Sequence, residues 1–376
     1  MTCFSFLRGR RSNPPTRHSS ELDDELSDVH NVVLYSYKEL RMATNDFSPT
    51  NKIGEGGFGS VYKGKLWNQK MAAIKVLSPG STQGVKQFLT EIQVISEVQH
   101  ENLVELYGCC VQGNHRILVY NYLENNSLAQ TLIGGRHSSI QFSWQTRSNR
   151  LLSIGISKAS NILLDKDLSP KISDFGLAKL IPANMTHVST RVAGTIGYLA
   201  PEYAMKGQLT CKADIYSFGV LLIEIVSGRC NTNSWLPAEE KYILERAWQL
   251  HERRELVSLV DTALNGDFDP EQACRFLKIG LLCTQDFPKL RPSMSSVVQM
   301  LTREKDFDEN KITKPGLITD FMDLNIKSAP KTKAQINHPS SNFLSSGSDN
   351  LDSSTLSPGP SSQATFTFTE VYDRSV

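Results

Sequence analysis

Ile53-Gly54-Glu55-Gly56-Gly57-Phe58-Gly59-Ser60-Val61-Tyr62-Lys63-Gly64 carries the spacing G-x-G-x-x-G-x-V, and Ala72-Ala73-Ile74-Lys75 follows at the distance of a further strand. Small residues at these positions let the backbone of a strand turn lie close over phosphate groups. In a dinucleotide-binding turn such glycines stand between a strand and a helix. Here Val61-Tyr62-Lys63-Gly64 continues as strand, which favours a lid over a nucleotide. A lysine set among apolar neighbours, as Lys75 is, needs an anion to offset its desolvation. The helical spacing over 87–97, with Phe88, Ile92 and Ile95 on one face, offers Glu91 as that partner.

Further along, Asp174-Phe175-Gly176 supplies a carboxylate suited to Mg²⁺, a hard cation that takes one or two such ligands together with phosphate oxygens. Thr195-Ile196-Gly197-Tyr198-Leu199-Ala200-Pro201-Glu202 adds an Ala-Pro-Glu element.

The rest of the chain sets bounds. Its 376 residues hold 40 Lys+Arg against 39 Asp+Glu, so no global basic field favours nucleic acid as a partner. The seven cysteines are scattered without paired metal-ligand spacing, and the adjacent Cys109-Cys110 suit neither a disulfide nor a zinc knuckle; a reducing cytosol fits. No apolar run reaches the roughly 18 to 20 residues of a spanning helix. At the amino terminus Cys3 stands beside Phe4, Phe6 and Leu7, with Arg8, Arg10, Arg11 and Arg17 following. Two readings stand: an S-acylated tail making peripheral membrane contact, or a disordered leader with a few arginines.

Residues 1–36 are expected as that leader, with a short amphipathic helix over 37–46. Strand patterns run from Ile53 to Val76 and over Ile117-Leu118-Val119-Tyr120. Beyond residue 200 the spacing turns helical: Ile215 to Val226 is apolar nearly all round, and helices are expected over 237–252, 270–283 and 292–302. The fold class read from this order is α+β, with a β-rich small lobe (47–123) and an α-helical large lobe (124–304) in one domain spanning 37–304. Residues 305–376, rich in Ser and Thr, are expected to be mostly a disordered tail.

Taken in order, these motifs resemble those of eukaryotic protein kinases over residues 47–304. Within that family the chain looks like a plant receptor-like serine/threonine kinase, in particular a cytoplasmic form without an ectodomain. Tyr37-Lys38-Glu39-Leu40 with Ala43-Thr44-Asn45-Asp46-Phe47, His100-Glu101-Asn102-Leu103-Val104 and Gly194-Thr195-Ile196-Gly197-Tyr198 carry that likeness. The resemblance implies ATP and Mg²⁺ as cofactors and a protein substrate or a partner receptor kinase in signal transduction. It implies a cytoplasmic location, extending to the inner face of the plasma membrane if Cys3 is acylated. The residues it assigns to ATP are Ile53, Gly54, Gly56, Gly59, Val61, Lys75, Tyr120 as gatekeeper and Leu123 in the hinge. To the metal it assigns Asn161 and Asp174, and to catalysis Lys75, Glu91 and Lys158. Asp214 would brace the catalytic loop and Glu202 would pair with Arg291. Ser189, Thr190 and Thr195, with Thr186 outside them, are the phosphorylation candidates.

One element of the pattern does not match. The family's catalytic loop reads His-Arg-Asp, with Asn five residues after the Asp; counting back from Asn161 puts Ile156 at the aspartate position, in Ile154-Gly155-Ile156. No acid occurs between Trp144 and Asp165, and only thirteen residues separate Trp144 from Lys158. Those residues suffice for a truncated helix and no strand. The expected consequences are absent or severely impaired catalysis and apolar surface uncovered on the helix over 215–226. Asp165 is the remaining substitute base. Two other outcomes stay open: a non-catalytic pseudokinase that engages an active receptor kinase, and a truncated splice product without function.

Overall fold

The computed structural model describes residues 32–317, apart from short breaks at 57–58, 79–81, 98–99, 134–139, 151–157, 177, 179–180, 182–184, 191, 234–235 and 238–239. The amino-terminal segment with Cys3, the Ile156 position and the tail beyond 317 therefore lie outside the described residues.

The small lobe is a six-stranded sheet. Its strands are β1 (Val33–Leu34), β2 (Lys52–Gly56), β3 (Gly59–Lys65), β4 (Met71–Leu77), β5 (Leu106–Gln112) and β6 (His115–Asn121), in the order β1-β5-β6-β4-β3-β2. β1 runs parallel to β5, and Tyr35 N donates to Cys109 O at 2.8 Å. The leader thus contributes an edge strand before α1 (Tyr37–Ala43), the helix expected over 37–46. Ser36 caps α1 reciprocally with Glu39, which satisfies two amide donors that the first turn leaves free. Gly59 closes the β2–β3 turn at φ +138°, where an added Cβ would stand 2.0 Å from Val76 O, so only glycine fits.

Alternation along the strands decides what faces what. On one face Ile74, Ile117 and Val119 pack with Leu40 of α1. On the other, Leu118 and Tyr120 pack with Phe88 and Ile92 of α2 (Thr82–Glu97). Lys75 pairs in register with Leu118, which puts it on the α2 side.

In the large lobe, α3 (Trp144–Asn149) is followed by two small antiparallel pairs. These are β7 (Ile162–Leu164) with β8 (Pro170–Ile172), and β9 (Val188–Ser189) with β10 (Gln208–Leu209). Between β9 and β10 stands α4 (Pro201–Lys206), and α5 (Cys211–Ser227), α6 (Ile243–Glu252), α7 (Pro270–Cys283) and α8 (Met294–Leu301) complete the lobe. α6 begins later than the sequence spacing predicts, because Thr232 bridges Tyr242 and Ile243 N donates to Asn231 O, so the preceding residues close a loop. α5 and α7 approach closely at Gly219 and Gly280; a Cβ on Gly219 would lie 2.6 Å from Cys283 Cβ.

The expectation that α5 exposes apolar surface is overturned. Val220, Leu222 and Ile223 are fully buried, and Leu221 and Ile225 are only 1% exposed. Leu221 and Ile225 are covered by Leu128, Leu132, Phe142, Ala159, Ile162 and Leu164, from the segment between the hinge and α3 and from Ala159 through β7, whereas Val220, Leu222 and Ile223 pack into the helical core. α3 itself is six residues long and is held from its amino-terminal end. Trp144 Nε1 donates to Gln272 Oε1 at 2.7 Å, and the buried Arg147 donates to Ile225 O at 3.1 Å and to Asp261 Oδ2 at 2.5 Å. Packing also runs past residue 304: Tyr216 OH donates to Gly316 O at 2.7 Å, and Ile312 and Leu317 are buried.

Candidate active site

The site lies between the lobes, where β3, β4 and α2 face the β7–β8 pair. Lys75 Nζ stands 3.0 Å from Glu91 Oε2 and 2.9 Å from Asp174 Oδ1, joining three elements that the sequence separates widely. Burial alone would lower the Lys75 pKa, but the charges of Glu91 and Asp174 and their hydrogen bonds hold it above its ordinary value. Burial likewise pushes the Asp174 carboxyl up, and the attraction and hydrogen bond of Lys75, with Lys158 and the Gly176 amide, bring it below the usual range. Tyr120 OH donates to Glu91 Oε1, an interaction that the sequence reading of Tyr120 as gatekeeper did not anticipate. Through it the buried Glu91 is held from β4 and β6 together.

Asn161 and Asp174 are brought together through Ser173, whose amide and hydroxyl donate to Asn161 O at 2.8 and 3.0 Å. The Asp174 side chain keeps 31% exposure, and Asp174 sits at φ +66°, a left-handed conformation that is strained for a residue other than glycine. A carboxylate and an amide oxygen on adjacent segments are a hard-oxygen donor set suited to Mg²⁺. Beside them Lys158 Nζ donates to Thr195 Oγ1 at 3.2 Å, and burial lowers its pKa.

Of the residues assigned to nucleotide, Ile53, Gly54 and Gly56 lie on β2, Gly59 and Val61 on β3, and Tyr120 on β6, with Leu123 just beyond β6. Gly57 and Phe58, at the tip of the turn, lie outside the described residues. Ala73, Leu123 and Leu163 are partly buried and pack against the cluster that holds Tyr120. Sequence reading missed Ala73 and Leu163. The strand alternation that places Lys75 also places Ala73, whereas Leu163 comes from the other lobe and carried no signal.

Three further residues take defined places. Asp165 Oδ1 accepts from the amides of Asp167 and Ser169 at 2.9 and 2.8 Å, which occupies the substitute base in the turn between β7 and β8. Arg291, whose side chain is fully buried, forks onto Glu202 with contacts of 2.7 and 2.9 Å, as the resemblance implied. The Asp214 carboxylate makes no hydrogen bond to any described residue, so the expected brace to the catalytic loop is not formed among them, and burial pushes its pKa up to about 6.

That shift fixes a pH dependence. The folded chain holds a proton on Asp214 that the unfolded chain, with an ordinary carboxyl near 3.9, releases. The residue therefore costs stability that grows from about pH 4 to about pH 6 and stays constant above. Asp214→Asn is expected to raise stability by on the order of 1–3 kcal/mol at pH 7.5 and to leave it unchanged at pH 4. Urea titrations at the two pH values check this; equal stability of variant and wild type at pH 7.5 would refute it.

The phosphorylation candidates are spread along one segment. Ser189 is exposed on β9, Thr190 N donates to Gly207 O at 2.9 Å, Thr186 is exposed, and Thr195 is half-buried against Lys158. Next to Thr195, Tyr198 OH donates to the buried Glu224 on α5, while Asn231 Nδ2 holds Gly197 O at 2.7 Å.

Comparison with known proteins agrees with this architecture. Residues 47–301 match the family described as protein tyrosine and serine/threonine kinase. The chain is 63% identical to Cold-responsive protein kinase 1 of Arabidopsis thaliana over 373 aligned positions, which take in 92% of this chain and 95% of that protein. It is 51% identical over 304 positions to one probable LRR receptor-like serine/threonine-protein kinase of the same plant, and 48% identical over 351 positions to another. Those two alignments use 76% and 88% of this chain but only 29% and 33% of the receptors. For Cold-responsive protein kinase 1, 92% of 376 residues is about 346, so about 27 of the 373 aligned positions have no residue of this chain opposite them.

Proposed function

Because this chain belongs to the protein kinase family, alongside the plant receptor-like serine/threonine kinases, we propose that it binds Mg²⁺-ATP and transfers phosphate to serine or threonine slowly or not at all. The observation that carries the binding half is Lys75 held between Glu91 and Asp174 at 2.9–3.0 Å beneath the glycine turn. Lys75 is kept charged and is oriented by Glu91, so its ammonium is available to phosphate oxygens once Asp174 turns to the metal. Gly54, Gly56 and Gly59 let backbone approach those oxygens, and Val61, Ala73, Leu123 and Leu163 receive the base. Asn161 and Asp174 would hold magnesium, which when bound neutralises charge on the phosphates.

The catalytic half rests on the sequence before Asn161. Transfer needs a carboxylate to accept the proton of the attacking hydroxyl, and none stands between Trp144 and Asp165. Asp165 is engaged in its own turn. The unmatched positions in the alignment support a chain shorter than that relative, and we put the missing stretch between Trp144 and Lys158, where only thirteen residues stand. A second reading follows from the same features: a pseudokinase whose nucleotide-bound lobes engage a receptor kinase. In either reading we place the chain in the cytoplasm, with Cys3 and its neighbouring arginines supplying membrane contact. Among the described residues no helix is long and apolar enough to cross a membrane.

Thermal unfolding with and without Mg²⁺-ATP tests the binding half. A ligand at 100 times its dissociation constant adds about 2.7 kcal/mol of stability, so the melting temperature is expected to rise for the wild type and not for Lys75→Met. An unmoved wild-type transition at millimolar nucleotide would overturn the proposal.

A further inference from the structure

Gln87 lies one helical turn before Glu91 on α2, so the two side chains share a face. It is 3% exposed, and its Nε2 is a buried donor with no hydrogen-bond partner among the described residues. A buried amide donor left unpaired keeps its full desolvation penalty, which points to a second arrangement in which it is paired. Its neighbour there is Gly176. A Cβ built on Gly176 would stand 3.4 Å from Gln87 Cβ, 3.5 Å from Gln87 Cγ and 3.5 Å from Glu91 Oε2. Two residues earlier, Asp174 is strained at φ +66° and bound to Lys75. In this arrangement Lys75 and Asp174 neutralise each other, so committing the Asp174 carboxylate to magnesium frees Lys75 for phosphate.

We propose that Gln87 is a positioning residue for the Asp174-Phe175-Gly176 turn: when Asp174 leaves Lys75 for magnesium, the turn shifts and the Gly176 carbonyl accepts the Gln87 Nε2 hydrogen. The amide is unpaired in the nucleotide-free arrangement and paired in the loaded one, so its hydrogen bond contributes only to the loaded state. This rests on the proposal that the site takes Mg²⁺-ATP. The chemistry is confined to Gln87 and the turn, and Lys75–Glu91 stays intact throughout.

The test is calorimetric titration of the full chain and of Gln87→Met, which keeps the shape and removes the donor. Mg²⁺-ATP is expected to bind the variant about 3- to 10-fold more weakly, the worth of one hydrogen bond. ADP in excess EDTA is expected to bind both proteins equally, because without metal Asp174 has no reason to move. The variant without nucleotide is expected to melt higher than wild type, since a buried unpaired donor is gone. Equal affinity of both proteins for Mg²⁺-ATP overturns the proposal, and so does equal weakening for Mg²⁺-ATP and metal-free ADP, which assigns Gln87 to packing alone. Gln87→Leu gives the same comparison should the methionine variant not fold. If the wild type does not bind Mg²⁺-ATP, the function proposed above falls and this inference with it; if it binds and the variants match it, this inference alone falls.

Discussion

Inserting a helix-completing segment that carries His-Arg-Asp ahead of Lys158 is expected to raise phosphate transfer from Mg²⁺-ATP to a protein serine or threonine by at least roughly 10²- to 10⁴-fold. That range is the ordinary contribution of a positioned general base. The remaining machinery awaits it: Lys75 is held by Glu91 and Asp174, Asn161 is tied to Ser173, and Lys158 reaches Thr195. Single-turnover assays with radiolabelled ATP on the two chains, with Lys75→Met in each as the background, measure the ratio. A wild-type rate within a few-fold of the restored chain would mean that some other group takes the proton. The pseudokinase reading would then lose its support as well. The two chains should bind Mg²⁺-ATP with similar affinity, because the added base touches the substrate hydroxyl and not the phosphates.

Replacing Arg291 by alanine is expected to destabilise the fold by about 3–5 kcal/mol, the loss that follows when one partner of a buried ion pair is removed. The guanidinium is wholly buried, forks onto Glu202, and also donates to Gln285 O, Lys212 O and Asp286 O at 2.8, 2.9 and 3.2 Å. Truncation strands the Glu202 carboxylate and three carbonyls at once, where α4, α5 and the segment after α7 meet. Since a domain's net stability is about 5–15 kcal/mol, the variant is expected to unfold at much lower urea, with the slope of the transition retained. Arg291→Lys keeps the charge without the fork and is expected to fall between the two. A midpoint for Arg291→Ala equal to that of the wild type would show that the pair adds nothing. The same experiment bears on whether the lobe is cooperative, because a truncated lobe that had already come apart would show no single transition to shift.

The large lobe is where local reasoning and the folded chain part company. From the short interval between Trp144 and Lys158, loss of cover on α5 was the expected result. Yet Leu128, Leu132, Phe142 and Ile162 close over Leu221 and Ile225. Apolar burial is non-directional, so any apolar side chains that the topology brings near can serve, and sequence spacing does not say which will. The brace expected from Asp214 finds no donor among the described residues, and 151–157, ahead of Lys158, lie outside them; unlike apolar cover, a hydrogen bond is directional and needs a particular donor in place. The leader was read as unstructured from its polarity, and its last residues, 32–36, differ: backbone pairing of β1 with β5 and the Ser36–Glu39 cap depend little on composition. Packing of Ile312 and Leu317 beyond residue 304 was hidden in the same way, two apolar residues being too few to form a periodic pattern.

The sequence by itself determined the family, the two-lobed α+β order, the Lys75–Glu91 pair and the want of a carboxylate before Asn161, while the Glu202–Arg291 pair came from the family resemblance. These are matters of residue type at fixed spacing, and chemistry restricts each position to one or two kinds of side chain. Only the tertiary structure decided that Asp174 shares Lys75 with Glu91, that Tyr120 holds Glu91, that Asp165 is spent in a turn, and that Gln87 stands against Gly176 with its amide donor unpaired among the described residues. Each of those depends on distances between segments far apart along the chain, which are fixed by how sheet and helices pack and are written in no single stretch of sequence.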